Sequence, residues 1–124
     1  MISFELFMLQ DGTPIYLQIL LYIKRGIIAG IISDGDELPS RRVLSALLGV
    51  NPNTVQKAYK MLEEEGLIQS RTGAKSCVAV TEEKIQEIRA EVLDEDAKGA
   101  VEAFKLMGVS KEEAHELIDK YWNL

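Results

Sequence analysis

Four residues that recur at helical spacing, Asn53, Gln56, Lys57 and Lys60, stand out chemically within the stretch GVNPNTVQKAYKMLEEEGL at residues 49–67. Asn and Gln each pair a donor with an acceptor, which matches N6 and N7 on the major-groove edge of adenine, whereas lysine neutralises phosphate. Arg41 and Arg42 precede this stretch, and Arg71 and Lys75 follow it. Together they have the make-up of a duplex-reading surface, with amides for base edges and cations for the backbone. A polar helix side is ordinarily just a solvated face, so such a function requires a fold that brings the three sources of charge together.

The rival chemistries are weaker. TGAKS at residues 72–76 has the look of a phosphate loop, but Ala74 separates Gly73 from Lys75 and no helix follows to aim its N-terminus at a phosphate, so a wing turn is the better reading. His115 has no partner histidine, cysteine or nucleophile and reads as an ordinary helix residue. Cys77 falls in an apolar strand, where a thiol packs as a small hydrophobe. The carboxylates of Glu63–Glu65 and Asp94–Asp96 diverge by about 100° per residue on a helix and do not converge on one ion. With one cysteine and one histidine, no His/Cys metal set can be assembled, and neither an enzyme site nor a cofactor is expected.

Three helices must position the candidate surface. Thr13 as N-cap and Pro14 at the first helical position open a helix that runs to about Ala29. Ile15, Tyr16, Ile19, Leu20, Ile23 and Ile27 form its core stripe, and Leu17, Leu21 and Ile28 form a second apolar strip roughly opposite, which calls for another covering surface. ISDGDELPS is a turn. SRRVLSALLG is a short second helix with Ser40 as N-cap and Gly49 as its stop. Asn51-Pro52 starts a third helix almost at once, ending at Glu65 before Gly66, with Val55, Ala58, Tyr59 and Leu62 on its core side. Two short helices joined by a Gly-containing turn outline a helix-turn-helix. LIQSR and SCVAV around TGAK then read as a β-hairpin, the wing.

From Thr81 onward the chain is helical in composition and reads as two or three helices, broken at Gly108 with a new N-cap at Ser110. The expected architecture is therefore mainly α: a winged helix-turn-helix over residues 1–80, three helices plus a hairpin, followed by a helical tail over 81–124. The tail has few large apolar residues for its length, and segments of about 40 residues usually need outside support. It is expected to pack on the first helix, on a second copy of itself, or on both, with Phe104, Tyr121 and Trp122 as anchors. It leaves little room within one chain for a ligand pocket of about 300 Å3, so any small-molecule effector, whose identity the sequence does not disclose, would sit at an interface.

The chain has 124 residues, 47% hydrophobic and 27% charged, the balance of one folded domain with an appendage. Its net charge of −6 argues against a polyanionic partner until it is divided. Residues 1–80 carry eight basic and eight acidic side chains, and residues 81–124 carry six and twelve, so all the excess acid lies in the tail. No stretch reaches the ~18 apolar residues of a membrane span, so a membrane partner is not expected. MISFELFMLQ lacks the basic start of a secretory signal, and the expected location is the cytoplasm.

PIYLQILLYIKRGIIAG, LPSRRVLSALLGVNPNTVQKAYKMLEEEGLI and RTGAKSCV, read in that order, resemble the N-terminal DNA-binding domain of the GntR family of bacterial transcription regulators over residues 14 to about 80. The short helical tail and VNPNTVQKAY are similar to the YtrA-like branch. That resemblance implies a small homodimeric regulator, often a repressor of an operon for an ABC-type transporter. It places the helix-two basic contact on Arg42 and the recognition-helix contacts on Pro52, Asn53, Thr54 and Gln56. Pro52 and Gln56 stand where longer-tailed members often have arginine, Lys75 replaces a common wing glycine, and Cys77 replaces an aromatic. The expected function is that of a homodimer on a near-palindromic double-stranded DNA operator. The alternative is a winged helix used only for protein contacts, which the acidic tail favours and the retained Arg41, Arg42, Asn53 and Gln56 oppose.

Overall fold

The computed structural model describes residues 1–71 and 75–124, Arg71 by its backbone alone; the expected wing turn at 72–74 and the Arg71 side chain lie outside the described residues. In chain order the elements are α1 (Ile15–Ile28), α2 (Arg41–Leu48), α3 (Pro52–Glu64), β1 (Ile68–Arg71), β2 (Lys75–Val78), α4 (Glu82–Leu106) and α5 (Lys111–Trp122). They form two compact units, Met1–Arg89 and Ala90–Leu124.

The helix-turn-helix follows from its caps. Ser40 Oγ accepts from the Val43 N–H at 3.2 Å to start α2, and Gly49 ends it at φ +68°, a left-handed conformation that costs a residue with a Cβ about 1 kcal/mol or more. Two residues later Asn51 Oδ1 accepts from the Asn53 N–H at 2.8 Å, with Pro52 in the first turn of α3. The side chains of Val55, Ala58, Tyr59 and Leu62 are then fully buried against Ile19, Ile23 and Ile27 of α1 and Leu44 of α2 in one core. Lys24 of α1 donates to Glu65 Oε1 at 2.7 Å and ties α1 to the end of α3.

The start of α1 departs from expectation. Pro14, not Thr13, is its N-cap, and no side chain caps it. The Thr13 carbonyl is instead claimed by Gln18 Nε2 at 2.8 Å, while the same amide exchanges two hydrogen bonds with the Gln10 backbone, so the chain before Pro14 closes as a loop. The expected second strip is already partly covered: Leu21 and Ile28 are half-buried against the core, and Leu17 is also half-buried.

The N-terminal segment packs as well. Ile2 and Phe4 are buried, Phe4 stacks on Tyr22 with ring centroids 4.9 Å apart, and Phe7 meets Tyr22 edge-on at 5.2 Å. Tyr22 donates its hydroxyl hydrogen to Ser3 O at 2.7 Å.

β1 and β2 pair antiparallel from Ile68↔Val78 to Arg71↔Lys75. ISDGDELPS is more than a turn, because Glu37 bridges Cys77, Leu38 N–H donates to Ser76 O at 2.9 Å and Val78 N–H to Asp36 O at 2.8 Å. That pairing covers the otherwise open edge of β2. Cys77 is buried there.

α4 starts where Thr81 Oγ1 accepts from the Lys84 N–H at 3.2 Å. The sequence places the start of the tail at residue 81, whereas the boundary between compact units lies at Arg89/Ala90, since Ile85 and Ile88 pack with the winged-helix core. The second unit holds the rest of α4 and α5, whose N-cap is Ser110, accepting from the Glu113 N–H at 3.1 Å. No residue of α5 is buried. Between its two helices this unit carries an open apolar groove of about 490 Å3 lined by Ala97, Ala100, Phe104, Val109, Ala114 and Ile118. A single chain thus has more room in its tail than its composition leads one to expect.

Candidate nucleic-acid interface

α3 divides cleanly by face. Its core side is sealed, whereas Asn53, Gln56, Lys57 and Lys60 are exposed and Thr54 is half-buried. Among the described residues no hydrogen bond or ion pair engages the side chains of Arg42, Asn53, Gln56 or Lys60. Their donors and acceptors are open to a ligand. The same face ends in the exposed Glu63 and Glu64, so its cations Lys57 and Lys60 lie mid-helix, between those acids and the N-terminal turn that holds Asn53.

α2 packs against α3 and brings its two arginines differently. Arg42 is exposed. Arg41 is half-buried, with its guanidinium carbon 5.9 Å from the Tyr59 ring centroid and its Nε buried without a hydrogen-bond partner. Tyr59 in turn donates its hydroxyl hydrogen to Pro39 O at 2.7 Å, which pins the residue before the Ser40 cap to α3. Burial pushes the Tyr59 phenol well above its ordinary value, and the Arg41 charge opposes that shift in part. The phenol therefore stays protonated as a donor at any ordinary pH.

Two of the expected cations have partners that the sequence does not disclose. Lys75 on β2 lies 3.4 Å from Glu37 Oε1 and remains 70% exposed, so phosphate would have to compete with a carboxylate for it. Lys57 sits with Nζ 3.9 Å from the centroid of the Tyr16 ring on α1. Tyr16 is legible in the sequence only as one residue of a core stripe, because its partner lies on another helix. Leu17, Leu21 and Ile28 lie on α1 in the first unit; in the second, Phe104 is half-buried on α4, and Tyr121 and Trp122 are 56% and 79% exposed near the end of α5.

Among the described residues no three His, Cys, Asp or Glu side chains cluster as a metal set, and His115 is an exposed residue at the α4–α5 groove. Among the described residues no helix is long and apolar enough to cross a membrane.

Residues 15–78, just over half the chain, match the family described as bacterial regulatory proteins, gntR family. The chain belongs to the GntR family. As a GntR-family transcriptional regulator it carries a DNA-binding domain, and that domain holds the α2–α3 surface just described. It is 36% identical over 110 residues to the HTH-type transcriptional repressor YtrA of Bacillus subtilis, an alignment covering 88% of this chain and 85% of that one, in keeping with the YtrA-like branch. A solved GntR family transcriptional regulator from Listeria monocytogenes matches with a TM-score of 0.77 and 30% identity over 90% of this chain and 98% of that one. AraR(DBD) in complex with operator ORX1 matches 57% of this chain and 87% of that one with a TM-score of 0.51 and 30% identity. The winged helix with a C-terminal helical region is thus the architecture of this GntR chain and of its solved neighbours.

Proposed function

We propose that this GntR-family regulator is a homodimeric repressor that reads a near-palindromic operator with the N-terminal half of α3, a transporter operon being one candidate target. The observation that carries the reading is the unengaged row Asn53, Gln56 and Lys60 beside Arg42 on a rigid, capped helix. Asn53 and Gln56 read base edges, Arg41, Arg42, Lys57 and Lys60 hold the backbone, and Arg71 and Lys75 serve the wing. Repression is carried over from YtrA, a relative of similar length.

Dimerisation through the tail is supported by the second unit itself. Its thirty-five residues carry an open apolar groove and an exposed Trp122, bury no residue of α5, and are too few to build a sufficient core of their own. A second copy of the same pair of helices would cover the groove. Two α3 helices about 34–36 Å apart would then meet successive major grooves on one face of the duplex. The test is to recover the genomic fragments that the purified protein retains and compare their binding with random duplex at about 150 mM salt. A shared inverted repeat among tightly bound fragments is expected. Equal affinity for random DNA would remove sequence-specific regulation from consideration.

A further inference from the structure

Resting on that reading, we infer that Tyr16 is a positioning residue for DNA binding: its ring holds the Lys57 ammonium beside the reading face of α3 without consuming the charge. The contact spans two helices, with Tyr16 in the first turn of α1 and Lys57 one turn from Asn53 and Lys60 on α3. A nitrogen 3.9 Å from the ring centroid is well inside the roughly 6 Å reach of a cation–π contact. Tyr16 is itself half-buried against the core, so the platform is fixed.

A comparison of Lys57 with Lys75 illustrates what the ring does. Lys75 is paired with the Glu37 carboxylate, and a phosphate approaching it must displace or share an anion. The Tyr16 ring carries no net charge. It attracts the ammonium by its quadrupole from one side and leaves the other side, with its N–H groups, open for a phosphate oxygen. A free lysine samples many rotamers along its four-carbon stem, and that freedom is lost when it grips a phosphate. Holding Lys57 against the ring removes part of that loss before DNA arrives, which is preorganisation. The Tyr16 hydroxyl has no part in this role, so phenylalanine should replace it.

Because a phosphate contact is independent of sequence, the test needs no operator. Full-length protein is titrated against a labelled random-sequence duplex of about 30 base pairs over a series of salt concentrations near 50–150 mM. Tyr16→Leu should weaken binding about two- to five-fold per protomer, a part of what ordering a rotamer-rich side chain costs, while Tyr16→Phe leaves it unchanged. Lys57→Ala should weaken binding and lower the salt slope by about 0.9 for each phosphate that is no longer neutralised. In the Lys57→Ala background, Tyr16→Leu should have no further effect. The same weakening in both backgrounds would show that Tyr16 acts by itself or through the fold, and would overturn the inference. So would tighter binding by Tyr16→Leu, which would mean the ring withholds Lys57 from DNA. If Lys57→Ala changes nothing while Lys60→Ala weakens binding, the inference fails and the α3 reading stands; if neither matters, the α3 reading itself fails. Thermal melts of each variant at equal concentration separate weaker DNA binding from impaired folding.

Discussion

Removing one oxygen from the core of the helix-turn-helix, by Tyr59→Phe, tests how the fold presents its arginines. Tyr59 is 1% exposed and its hydroxyl donates to Pro39 O at 2.7 Å. The substitution keeps the ring under Arg41 but deletes the hydrogen bond and leaves a buried carbonyl unpaired. A net hydrogen bond contributes about 0.5–1.5 kcal/mol, and an unsatisfied buried partner costs about 1–3 kcal/mol, so a loss of about 2 kcal/mol is expected. For a chain of this length that is roughly 6–10 °C in Tm, read by circular dichroism at fixed protomer concentration.

A second arm of the experiment uses pH. The phenol is raised above its ordinary value in the folded state, chiefly by burial. Above about pH 10 the unfolded tyrosine loses its proton while the folded one keeps it. The unfolded state then binds fewer protons and stability falls as pH rises, whereas below that point this group contributes no slope. Wild type should therefore lose Tm more steeply than Tyr59→Phe above pH 10, and the two should run parallel at neutral pH. A Tyr59→Phe protein within about 0.5 kcal/mol of wild type, or one with the same alkaline slope, would refute the claim that this buried phenol pins the loop before α2.

Other perturbations separate reading, grip and assembly. Gln56→Ala should cost about 1–3 kcal/mol on the selected operator and little on random DNA, and Lys60→Ala should weaken both alike with a lower salt slope; the paired titrations decide between them. Trp122→Asp should shift the protein toward monomer in sedimentation velocity without unfolding residues 1–89, since Trp122 is 79% exposed and the unit that holds it is separate. Glu65→Gln should destabilise by about 1–3 kcal/mol, less than for a fully buried pair because the carboxylate is 36% exposed, whereas Lys24→Met should be near neutral. Equal losses in a thermal melt would show that the pair stabilises as a unit.

Much of the reading unit is legible in the sequence because its signals are local. Ser40, Gly49, Asn51-Pro52 and Gly66 each act on backbone groups within four residues, so the sequence alone marks both ends of α2 and of α3. The start of α1 is less legible because Gln18 competes for the Thr13 carbonyl, a preference that no capping pattern contains. The role of the N-terminal aromatics Phe4 and Phe7 is hidden in the sequence, since their partner, Tyr22, sits well along α1. Likewise, residues 36–38 have the composition of a turn and reveal their pairing only against β2.

The sequence by itself determined which residues face outward on α3, because a period of 3.6 residues sorts Val55, Ala58, Tyr59 and Leu62 from Asn53, Gln56, Lys57 and Lys60 before any packing occurs. It also determined that the excess acid belongs to the tail. Only the tertiary structure decided the state of these cations: Arg41 over Tyr59, Lys75 against Glu37, Lys57 on Tyr16, and Lys60 with no such partner among the described residues. The physical reason is distance along the chain. Caps and periodicity act over one or two turns, whereas a charge is tuned by whatever the fold places within a few ångströms, and those neighbours come from segments 18 to 41 residues away.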